Sequence, residues 1–537
     1  MPTLKIDGRE VTVADGTNLV EAARALGVEI PTFCYHKDLS IAANCRMCLV
    51  KGTQNGRAWP KPMPACQMVA AEGMEIDASS DEVKRLRRAM LEFILINHPL
   101  DCPICDKAGE CTLQNNYFAH SNQPSRFKEV KEEKLKRGDL GPRILYDGER
   151  CITCTRCVRF MDEVARDPQL GVIQRGDRAL IATAHGASFD HPYSVNTVDI
   201  CPVGALTDKE FRFQQRAWFL RATSSVCPGC ARGCNVFVDT STVDQQVYRI
   251  RPRDNPAVNG AWMCDEGRLS INEVHAGRLL TPRADGKATD LARAVQSAVD
   301  KLKPLFGADE LAVAIAPTVS CEDAYAIASL CKELLDVDKV AITGRREWVG
   351  DNFLRLPDHN PNRRGLLEIF KALELSTFDA PELLASIEKG ETQALLVVGN
   401  AWPVDDMDRV AGAVSKLVTS VALVTHDDAV ARAATVAIPI TGFAETASAM
   451  VNALGRVQRL GAAVGPQGGA RPAWEVATLL ARAAELPLRF RTHEQLWSQL
   501  GEQVELLKGL NLDAIGVQGV ARGGETRAPR FAGDKVD

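Results

Sequence analysis

Most of the cysteines in this chain lie in its first half, and their spacing constrains the fold more than any other feature. The chain has 17 cysteines in 537 residues, and 15 of them precede residue 265. Several are separated by only two residues, and such pairs make poor structural disulfides. A chain of this length can also bury large apolar cores and does not need disulfide bridges to fold. The pattern therefore indicates metal ligation by thiolates.

The first set of cysteines follows a predicted strand pair and short helix. The hairpin has strands at 4–6 and 11–13 with a turn at Asp7-Gly8, and Thr17 is predicted to cap the helix. The members of the set are Cys34, Cys45, Cys48 and Cys66. Four thiolates can hold a 2Fe–2S cluster, a 4Fe–4S cluster or zinc. Strand pair, helix and cysteine loop is the order of the β-grasp fold of plant-type ferredoxins, which favours 2Fe–2S, with zinc as the alternative.

The second set supplies three thiolates, one short of a cluster. They are Cys102, Cys105 and Cys111. A helix is predicted over residues 82–97, and His98 directly after it is the nearest candidate for a fourth ligand. Judged by their chemistry alone, Asp101, Asp106 and His120 compete with it. An imidazole in place of a thiolate removes negative charge and tends to raise the potential of a cluster, as in Rieske centres.

The third set has the strongest local motif. It is C-x2-C-x2-C at Cys151, Cys154 and Cys157, followed by Cys201-Pro202. Bacterial ferredoxins use C-x2-C-x2-C-x3-C-P, in which the fourth cysteine ligates a second cluster. Met161 stands at the position of that fourth cysteine, and residues 190–200 contain none. We infer that the second cluster has been lost and that Cys201 completes one 4Fe–4S site.

The fourth set has the spacing C-x2-C-x3-C with a distant fourth member. Its members are Cys227, Cys230, Cys234 and Cys264. In isolation this spacing fits a 4Fe–4S cluster or a zinc knuckle, and the three neighbouring sets favour the cluster. Together the four sets use all 15 early cysteines without remainder. The two later cysteines, Cys321 and Cys331, lie on a predicted helix and are predicted to be core residues.

Charge and hydropathy exclude several classes of function. The formal net charge of −5 provides no basic field for nucleic-acid binding. The longest apolar runs, such as Ala394–Val398, have the length of a strand and are too short to cross a bilayer. The first residues contain no apolar signal core. We therefore expect a cytoplasmic chain that reaches any membrane only through partners.

From about residue 300 the sequence alternates between apolar strands and amphipathic helices. This alternation predicts a mainly parallel sheet covered by helices on both faces. The predicted helices include 322–335 and 407–418. The predicted strands are 311–316, 340–343, 394–399, 421–425 and 436–440.

Three of the motifs resemble those of one family of iron–sulfur proteins, the G subunits of bacterial NADH–quinone oxidoreductase (complex I), which are the counterparts of the mitochondrial 75-kDa subunit. The motifs are the run from His98 to Cys111, Cys45-Arg-Met-Cys48-Leu-Val and Cys151-Ile-Thr-Cys154-Thr-Arg-Cys157-Val-Arg-Phe160. The resemblance covers residues 1–280, and it implies that His98 is the missing fourth ligand.

A second resemblance concerns the rest of the chain. The Cys227 set looks like the amino-terminal cluster site of molybdopterin oxidoreductases, and the second half looks like a truncated α/β domain of those enzymes. The segment from Glu445 through Asn452 to Gln458 resembles the end of that domain. The chain after Cys264 is short for a complete pterin enzyme, so no molybdopterin is expected.

The resemblance implies one 2Fe–2S cluster and three 4Fe–4S clusters. The implied ligands are Cys34, Cys45, Cys48 and Cys66 for 2Fe–2S, and His98, Cys102, Cys105 and Cys111, then Cys151, Cys154, Cys157 and Cys201, then Cys227, Cys230, Cys234 and Cys264 for the three 4Fe–4S clusters.

The implied role is electron transfer within the peripheral arm of complex I. Single electrons would pass from the flavin- and NADH-binding subunit toward quinone, at the cytoplasmic face of the inner membrane, with other peripheral-arm subunits as partners. No G-x-G-x-x-G follows a predicted strand, so NADH oxidation is expected on a partner. The chain itself needs no general acid, base or nucleophile, because moving an electron breaks no bond.

The overall prediction is an α+β multidomain chain. Its parts are a β-grasp 2Fe–2S ferredoxin-like domain at 1–78, a His/Cys cluster segment at 79–118, a bacterial-ferredoxin-like 4Fe–4S domain at 119–218, a molybdopterin-oxidoreductase-type 4Fe–4S domain at 219–276, a truncated α/β domain at 277–516 and a flexible tail at 517–537.

Two other functions remain open at this point. One is the electron-transfer subunit of a soluble NAD-linked hydrogenase or formate dehydrogenase, and the other is a zinc scaffold without a redox role. A smaller question concerns Arg46, Arg156 and Arg159, which lie beside predicted ligands. They either raise the potentials of nearby clusters or are solvated surface residues.

Overall fold

The computed structural model describes residues 1–522 apart from Val404, and the side chain of His185 is also outside the described part. The chain divides into two units, one formed by Met1–Phe219 and one that begins at Leu220. The first three predicted ligand sets fall in the first unit, and the Cys227 set falls in the second.

A mixed sheet forms the amino-terminal part of the first unit. Its strands are β1 Thr3–Ile6, β2 Arg9–Thr12, β3 Leu49–Gln54, β4 Arg57–Ala58, β5 Met63–Pro64 and β6 Met74–Asp77. β1 and β2 form the predicted hairpin, and Asp7 and Gly8 turn the chain with φ angles of 48° and 76°. β6 pairs in parallel with β1 and antiparallel with β3, so the order is β2-β1-β6-β3-β4, with β5 on β3.

Helix α1, Leu19–Ala25, packs its buried residues against the core of this sheet. The helix was predicted, but its cap was wrong, because Asn18 and not Thr17 occupies the capping position. Asn18 Oδ1 accepts hydrogen bonds from the amide N–H groups of Val20 and Glu21 at 3.0 and 3.1 Å. Thr17 lies one residue too early, and its carbonyl instead accepts the N–H of Ala70 at 2.8 Å.

The rest of the first unit consists of short elements around the next two ligand sets. Helix α2, Asp81–Leu95, confirms the helix predicted over 82–97, and Ser80 caps it. Two small antiparallel sheets follow, β7-β8-β11 and β9-β10. The elements are α3 Thr112–His120, β7 Gly138–Asp139, β8 Ile144–Tyr146, α4 Arg156–Arg159, β9 Leu170–Ile173, β10 Leu180–Thr183, α5 Asn196–Asp199 and β11 Leu206–Asp208.

The second unit opens with an antiparallel meander that carries the Cys227 set. The meander has the order β12-β13-β14, and two short helices follow it. The elements are β12 Leu220–Val226, β13 Asn235–Ser241, β14 Val247–Pro252, α6 Asp265–Leu269 and α7 Asn272–His275.

A large sheet follows, and its middle strands are parallel as predicted. The strands are β15 Arg283–Ala284, β16 Lys287–Ala288, β17 Leu311–Ile315, β18 Lys339–Ile342, β19 Ser376–Asp379, β20 Ala394–Val398, β21 Thr419–Val424 and β22 Val436–Pro439. Their order is β16-β15-β22-β21-β20-β17-β18-β19. The pairs from β22 to β19 are parallel, whereas β15 pairs antiparallel with β16 and β22.

Both faces of this sheet are buried, because alternate residues of its strands pack in two separate cores. In β17, Val313 and Ile315 belong to one core, and Ala312 and Ala314 belong to the other. The helices of this region are α8 Leu291–Leu302, α9 Cys321–Leu330, α10 Arg363–Ala372, α11 Ala380–Lys389, α12 Met407–Val414, α13 Ala429–Ala433, α14 Ala473–Ala483, α15 His493–Gln503 and α16 Leu512–Ile515.

Cys321 and Cys331 are confirmed as core residues. Cys321 opens α9, Cys331 follows its last residue, and both side chains are fully buried. Another three-stranded sheet completes the unit, with strands β23 Ser448–Val451, β24 Arg456–Leu460 and β25 Val520–Ala521 in the order β23-β24-β25. β25 therefore lies in the segment predicted to be a flexible tail, and residues 523–537 are outside the described residues.

The helices of residues 1–522, with Val404 left aside, include none that is both long and apolar enough to cross a membrane.

A buried ion pair lies beside the carboxyl end of β21. Arg278 Nη2 donates to Glu445 Oε2 at 2.7 Å, and the two side chains are 3% and 0% exposed. Arg278 also donates to the carbonyl oxygens of Thr425 and Val274, both at 2.9 Å.

Substituting Arg278→Met should lower the free energy of unfolding of the second unit by about 3–5 kcal/mol, because it leaves the Glu445 carboxylate buried without its cation. Urea unfolding of the full chain, followed by tryptophan fluorescence, measures this change. Arg409→Met is the control, because Arg409 pairs with Glu388 at the surface and its loss should have little effect. Equal midpoints for the two variants would contradict the prediction.

Candidate iron–sulfur sites

The Cys34 set lies in the loops around β3 and β5. Cys48 directly precedes β3, Cys45 lies three residues before Cys48, and Cys66 follows β5 by two residues. Arg46, between Cys45 and Cys48, has a φ of 56°, so the main chain takes a left-handed turn between these two cysteines. Cys34, Cys48 and Cys66 are buried, and Cys45 is half-buried.

These four thiols sort into two close pairs. Cys48 Sγ lies 3.4 Å from Cys66 Sγ. In the other pair, the Cys34 N–H donates to Cys45 Sγ at 3.5 Å, and a hydrogen bond with the Cys45 thiol lowers the pKa of Cys34 to about 5. Likewise the hydrogen bond with Cys66 lowers the pKa of Cys48. In a 2Fe–2S cluster, each of the two iron atoms binds two thiolates of the protein. Two close pairs of cysteines therefore fit that group.

Three of the four residues of the second set line a cavity of about 620 Å³. His98, Cys102 and Cys111 line it with apolar side chains that include Leu95 and Leu113. Cys105 is not among the lining residues, but its Sγ lies next to Gly204, where a Cβ would come within 2.4 Å of it. Burial raises the pKa of Cys105 and of Cys111, which interact electrostatically.

His98 is in the state that a metal ligand needs. Burial, helped by the charge of Arg150, lowers the pKa of His98 to about 4, so the imidazole is neutral at pH 7. Its Nδ1 atom is buried and has no hydrogen-bond partner within the described part of the chain. Two competitors are engaged elsewhere, since Asp101 pairs with Arg150 and Asp106 accepts the N–H of Phe213 at 2.8 Å. These contacts favour His98 over the aspartates.

The third set lines a single small cavity. Besides Cys151, Cys154, Cys157 and Cys201, the cavity is lined mainly by apolar side chains such as Ile152, Ile181, Val203 and Leu206. Thr153 and Thr155 have φ angles of 50° and 60°, which curl the C-x2-C-x2-C run around the cavity. Burial raises the pKa of Cys154 to about 12 and that of Cys157 well above its ordinary value. Iron would reverse this shift, because a coordinated thiol is deprotonated.

The segment that carries Cys201 forms a wall of both the second and the third site. Cys201 belongs to the third set, yet the carbonyl of Pro202 accepts the N–H of Thr112 at 3.0 Å, directly after Cys111. Two residues further on, Gly204 packs against Cys105 Sγ. The main chain between Cys201 and Gly204 therefore serves two ligand sets.

The fourth set lies within the second unit. Cys227 follows β12, Cys234 precedes β13, and Cys264 caps α6. All four thiols are buried, and burial raises the pKa of Cys227 to about 12 and that of Cys234 well above its ordinary value. Main-chain N–H groups point at two of the sulfur atoms, since Gly229 donates to Cys227 Sγ at 3.4 Å and Gly267 to Cys264 Sγ at 3.3 Å. Such N–H···S bonds are one means by which proteins set cluster potentials.

Asn452 and Gln458 support this fourth site, a role that no sequence motif predicted. Asn452 Nδ2 donates to the carbonyl of Arg232 at 3.1 Å, and Gln458 Nε2 donates to that of Gly233 at 2.8 Å. Both carbonyls belong to the loop between Cys230 and Cys234. The resemblance around Glu445–Gln458 was a signal that this segment matters, but its contact with a cysteine loop more than 200 residues away is visible only in the fold.

The three arginines beside predicted ligands differ in their surroundings. Arg46 is exposed, as a solvated surface residue would be. Arg156 and Arg159 are half-buried and donate to main-chain carbonyl groups, so for them the surface interpretation was wrong.

Within the described residues, no three His, Cys, Asp or Glu side chains are placed to hold a single metal ion. A cluster does not require its ligands to converge on one metal ion, because they bind different iron atoms.

Profiles of known families match the chain in a fixed order. Residues 1–81 match a 2Fe-2S iron-sulfur cluster binding domain. Residues 87–126 match the NADH-ubiquinone oxidoreductase-G iron-sulfur binding region, and residues 141–207 match the NADH-quinone oxidoreductase subunit 3 ferredoxin-like domain. Residues 220–272 match the NADH-ubiquinone oxidoreductase NDSU1/NuoG-like 4Fe-4S domain, and residues 294–483 match molybdopterin oxidoreductase. The predicted order of 2Fe–2S, 4Fe–4S and molybdopterin-oxidoreductase-like parts is confirmed.

Individual relatives agree with these profiles. The G subunit of NADH-quinone oxidoreductase from Rickettsia felis is 38% identical over 338 residues, which are 62% of this chain and 49% of the relative. The G subunit from Streptomyces coelicolor is 37% identical over 351 residues, or 64% of this chain and 41% of the relative. The chain spans about half the length of the curated relatives it matches.

A solved structure of an NAD+-reducing NiFe-hydrogenase in its H2-reduced state contains a chain that is 30% identical. The match covers 40% of this chain and 90% of that one, with a TM-score of 0.36.

Substituting Gly204→Ala should disrupt the second site, because the new Cβ would stand 2.4 Å from Cys105 Sγ. We expect the purified chain to lose the iron and the EPR signal of the His98 set. Gly171→Ala is the matched control in the same unit, because a Cβ there meets nothing within 4 Å. Equal iron and sulfide contents in the two variants would show that Gly204 does not constrain this site.

Proposed function

The chain belongs to the family of the G subunit of NADH-quinone oxidoreductase, and from this premise we propose that it is an electron-transfer iron–sulfur subunit of that complex. In this role it passes single electrons from an NADH- and flavin-binding partner toward quinone. The observation that carries the proposal is the alignment of three NADH-quinone or NADH-ubiquinone oxidoreductase profiles with the second, third and fourth cysteine sets. The chain itself performs no chemistry on NADH or quinone.

We assign one 2Fe–2S cluster to the Cys34 set and 4Fe–4S clusters to the other three sets. The close pairs at the first site and the buried, neutral His98 at the second support this assignment. When bound, the clusters supply a change of oxidation state by one electron without the making or breaking of a bond. The ligands proposed for the 4Fe–4S clusters are His98, Cys102, Cys105 and Cys111; Cys151, Cys154, Cys157 and Cys201; and Cys227, Cys230, Cys234 and Cys264.

The chain's own contribution is to hold these ligands and to exclude water from them. Apolar walls around the third site keep the local dielectric low, which strengthens every nearby charge interaction. Main-chain N–H groups at the fourth site donate to sulfur and favour the thiolate form. Asn452 and Gln458 fix the loop that presents Cys230 and Cys234.

We further propose that the second unit carries no molybdopterin. A cavity of about 600 Å³ lies at the carboxyl ends of β17, β20 and β21, where such sheets bind ligands. Some of its polar side chains are already engaged, since Asn400 bonds to Thr425, His426 and Asp428. Arg345 in the same cavity pairs with Glu273 at 2.7 Å. These internal bonds leave few groups to recognise a pterin.

The proposed partners are the flavin- and NADH-binding subunit and other subunits of the peripheral arm. The proposed location is the cytoplasmic face of the inner membrane, where the chain would sit as a peripheral subunit. Homology to subunits of a multi-subunit oxidoreductase supports these proposals.

Metal analysis of the purified chain tests the cluster assignment directly. We expect about 14 irons per chain with matching sulfide, the sum of one 2Fe–2S and three 4Fe–4S clusters. Zinc with little iron would instead support the scaffold hypothesis. Co-purification with a hydrogenase set rather than with quinone-reductase subunits would support the alternative NAD-linked enzyme.

Substituting Cys154→Ala should abolish one 4Fe–4S EPR signal and NADH-to-quinone turnover of the complex, because it removes a ligand at the third site. Cys331→Ala is the control, because Cys331 is a buried cysteine outside every proposed set. Unchanged turnover in the Cys154 variant would contradict the proposal that this site lies on the electron path.

Substituting Cys230→Ala should abolish a different EPR signal but leave most of the turnover per assembled complex. The reason is that we place the fourth site off the main path, with a structural role. Turnover is compared with that of the Cys154 variant at equal amounts of assembled complex. An equally large loss would place the fourth site on the main path.

A further inference from the structure

Two arginines of helix α4 join the ligand loops of the first and third sites. Arg156 Nη1 donates to the carbonyl of Ile200 at 3.2 Å, and Ile200 directly precedes Cys201. Its Nη2 donates to the carbonyl of Tyr35, which directly follows Cys34. One guanidinium therefore touches the chain next to a predicted ligand of each site.

Arg159 repeats this pattern one helical turn later. Its Nη2 donates to the carbonyl of Cys34 at 2.6 Å and to that of Cys154 at 3.3 Å. Its Nη1 donates to the carbonyl of Ser40 in the same loop as Cys34. A smaller contact points the same way, since Asn44 Nδ2, beside Cys45, donates to the carbonyl of Thr153 at 3.3 Å.

No carboxylate in the described part of the chain pairs with the positive charge of Arg156 or Arg159. Within the described residues, both guanidinium groups bond to carbonyl or hydroxyl oxygens, and Nε of Arg156 is buried without a hydrogen bond. Burial lowers the pKa of Arg156, whereas the charges of thiols from both sites raise it. These thiols belong to Cys154, Cys201, Cys34 and Cys45. A partly buried cation needs a counter-charge, and thiolate-ligated clusters at these two sites would provide one.

We propose that Arg156 and Arg159 form a shared cationic bridge that raises the reduction potentials of the first and third clusters together. A positive charge in a setting of low dielectric stabilises the reduced form of a cluster, which carries one more negative charge than the oxidised form. The five hydrogen bonds from these arginines to main-chain carbonyl groups also hold the two ligand loops at a fixed separation. When an electron passes between them, one cluster loses it and the other gains it, and no proton or bond is involved. The inference rests on the cluster assignment made above.

The test is an EPR-monitored potentiometric titration of the full chain with its clusters loaded. Arg156→Gln removes the charge and keeps one hydrogen-bonding group, so both signals should titrate at lower potential, with at least a tenfold loss of electron affinity. Tenfold corresponds to 59 mV for one electron. Arg156→Lys keeps the charge and should titrate near the unsubstituted chain at both sites. Arg46→Gln is the control, because Arg46 is exposed although it lies beside Cys45.

Several results would overturn the bridge. Unchanged potentials in the Arg156→Gln variant, or a shift at only one of the two sites, would show that the charge is not shared. An equal shift in the Lys variant would show that the contact is a structural brace and not a charge effect. If the Gln variant at 156 does not retain its clusters, Arg159→Gln takes its place, with the same two shifts expected and the same contrary results.

The two levels of the proposal fail in different ways. Absence of both EPR signals from the unsubstituted chain would refute the cluster assignment itself. Normal signals with unaltered potentials in the charge-removing variants would refute only the bridge.

Discussion

The burial of the cysteine thiols is the constraint on which the other features of the sites depend. Burial raises the pKa of most of these thiols, as at Cys154 and Cys227, so that the metal-free side chains are neutral and bind their surroundings weakly. Iron supplies the positive charge that makes a buried thiolate favourable, so metal binding and the packing of the ligand loops stabilise one another. The surrounding sheets and helices bury the thiols and so limit their contact with water.

Many of the helices and strands could be predicted from the sequence because they depend on local spacing, and the proposed ligand sets rest on the same kind of evidence. The hairpin, helix α2 and the parallel strands follow from periodicities of two and 3.6 residues, and closely spaced cysteines must lie close in space. The cap at Asn18 was missed because Thr17 is also a favoured capping residue, and only the bonds that Asn18 Oδ1 accepts identify the cap.

The remaining parts of the sites could not be predicted because they depend on contacts between distant segments. For His98, its burial and the engagement of Asp106 with Phe213 support the choice of ligand, and neither is visible in the sequence. The bonds from Asn452 and Gln458 to the Cys230 loop span more than 200 residues of sequence. Arg156 likewise has an ordinary position in a ligand motif, and its second contact, to Tyr35, lies 121 residues away.

The main chain from Cys201 to Gly204 has a consequence for how the protein matures. One end of this segment is Cys201, the proposed fourth ligand of the third site, while Pro202 and Gly204 lie against residues of the second set. A single conformation of this segment is common to both sites, so ordering it at one site also orders it at the other. Binding of a cluster at either proposed site would therefore order part of the other, and we expect the two clusters to be acquired together during assembly.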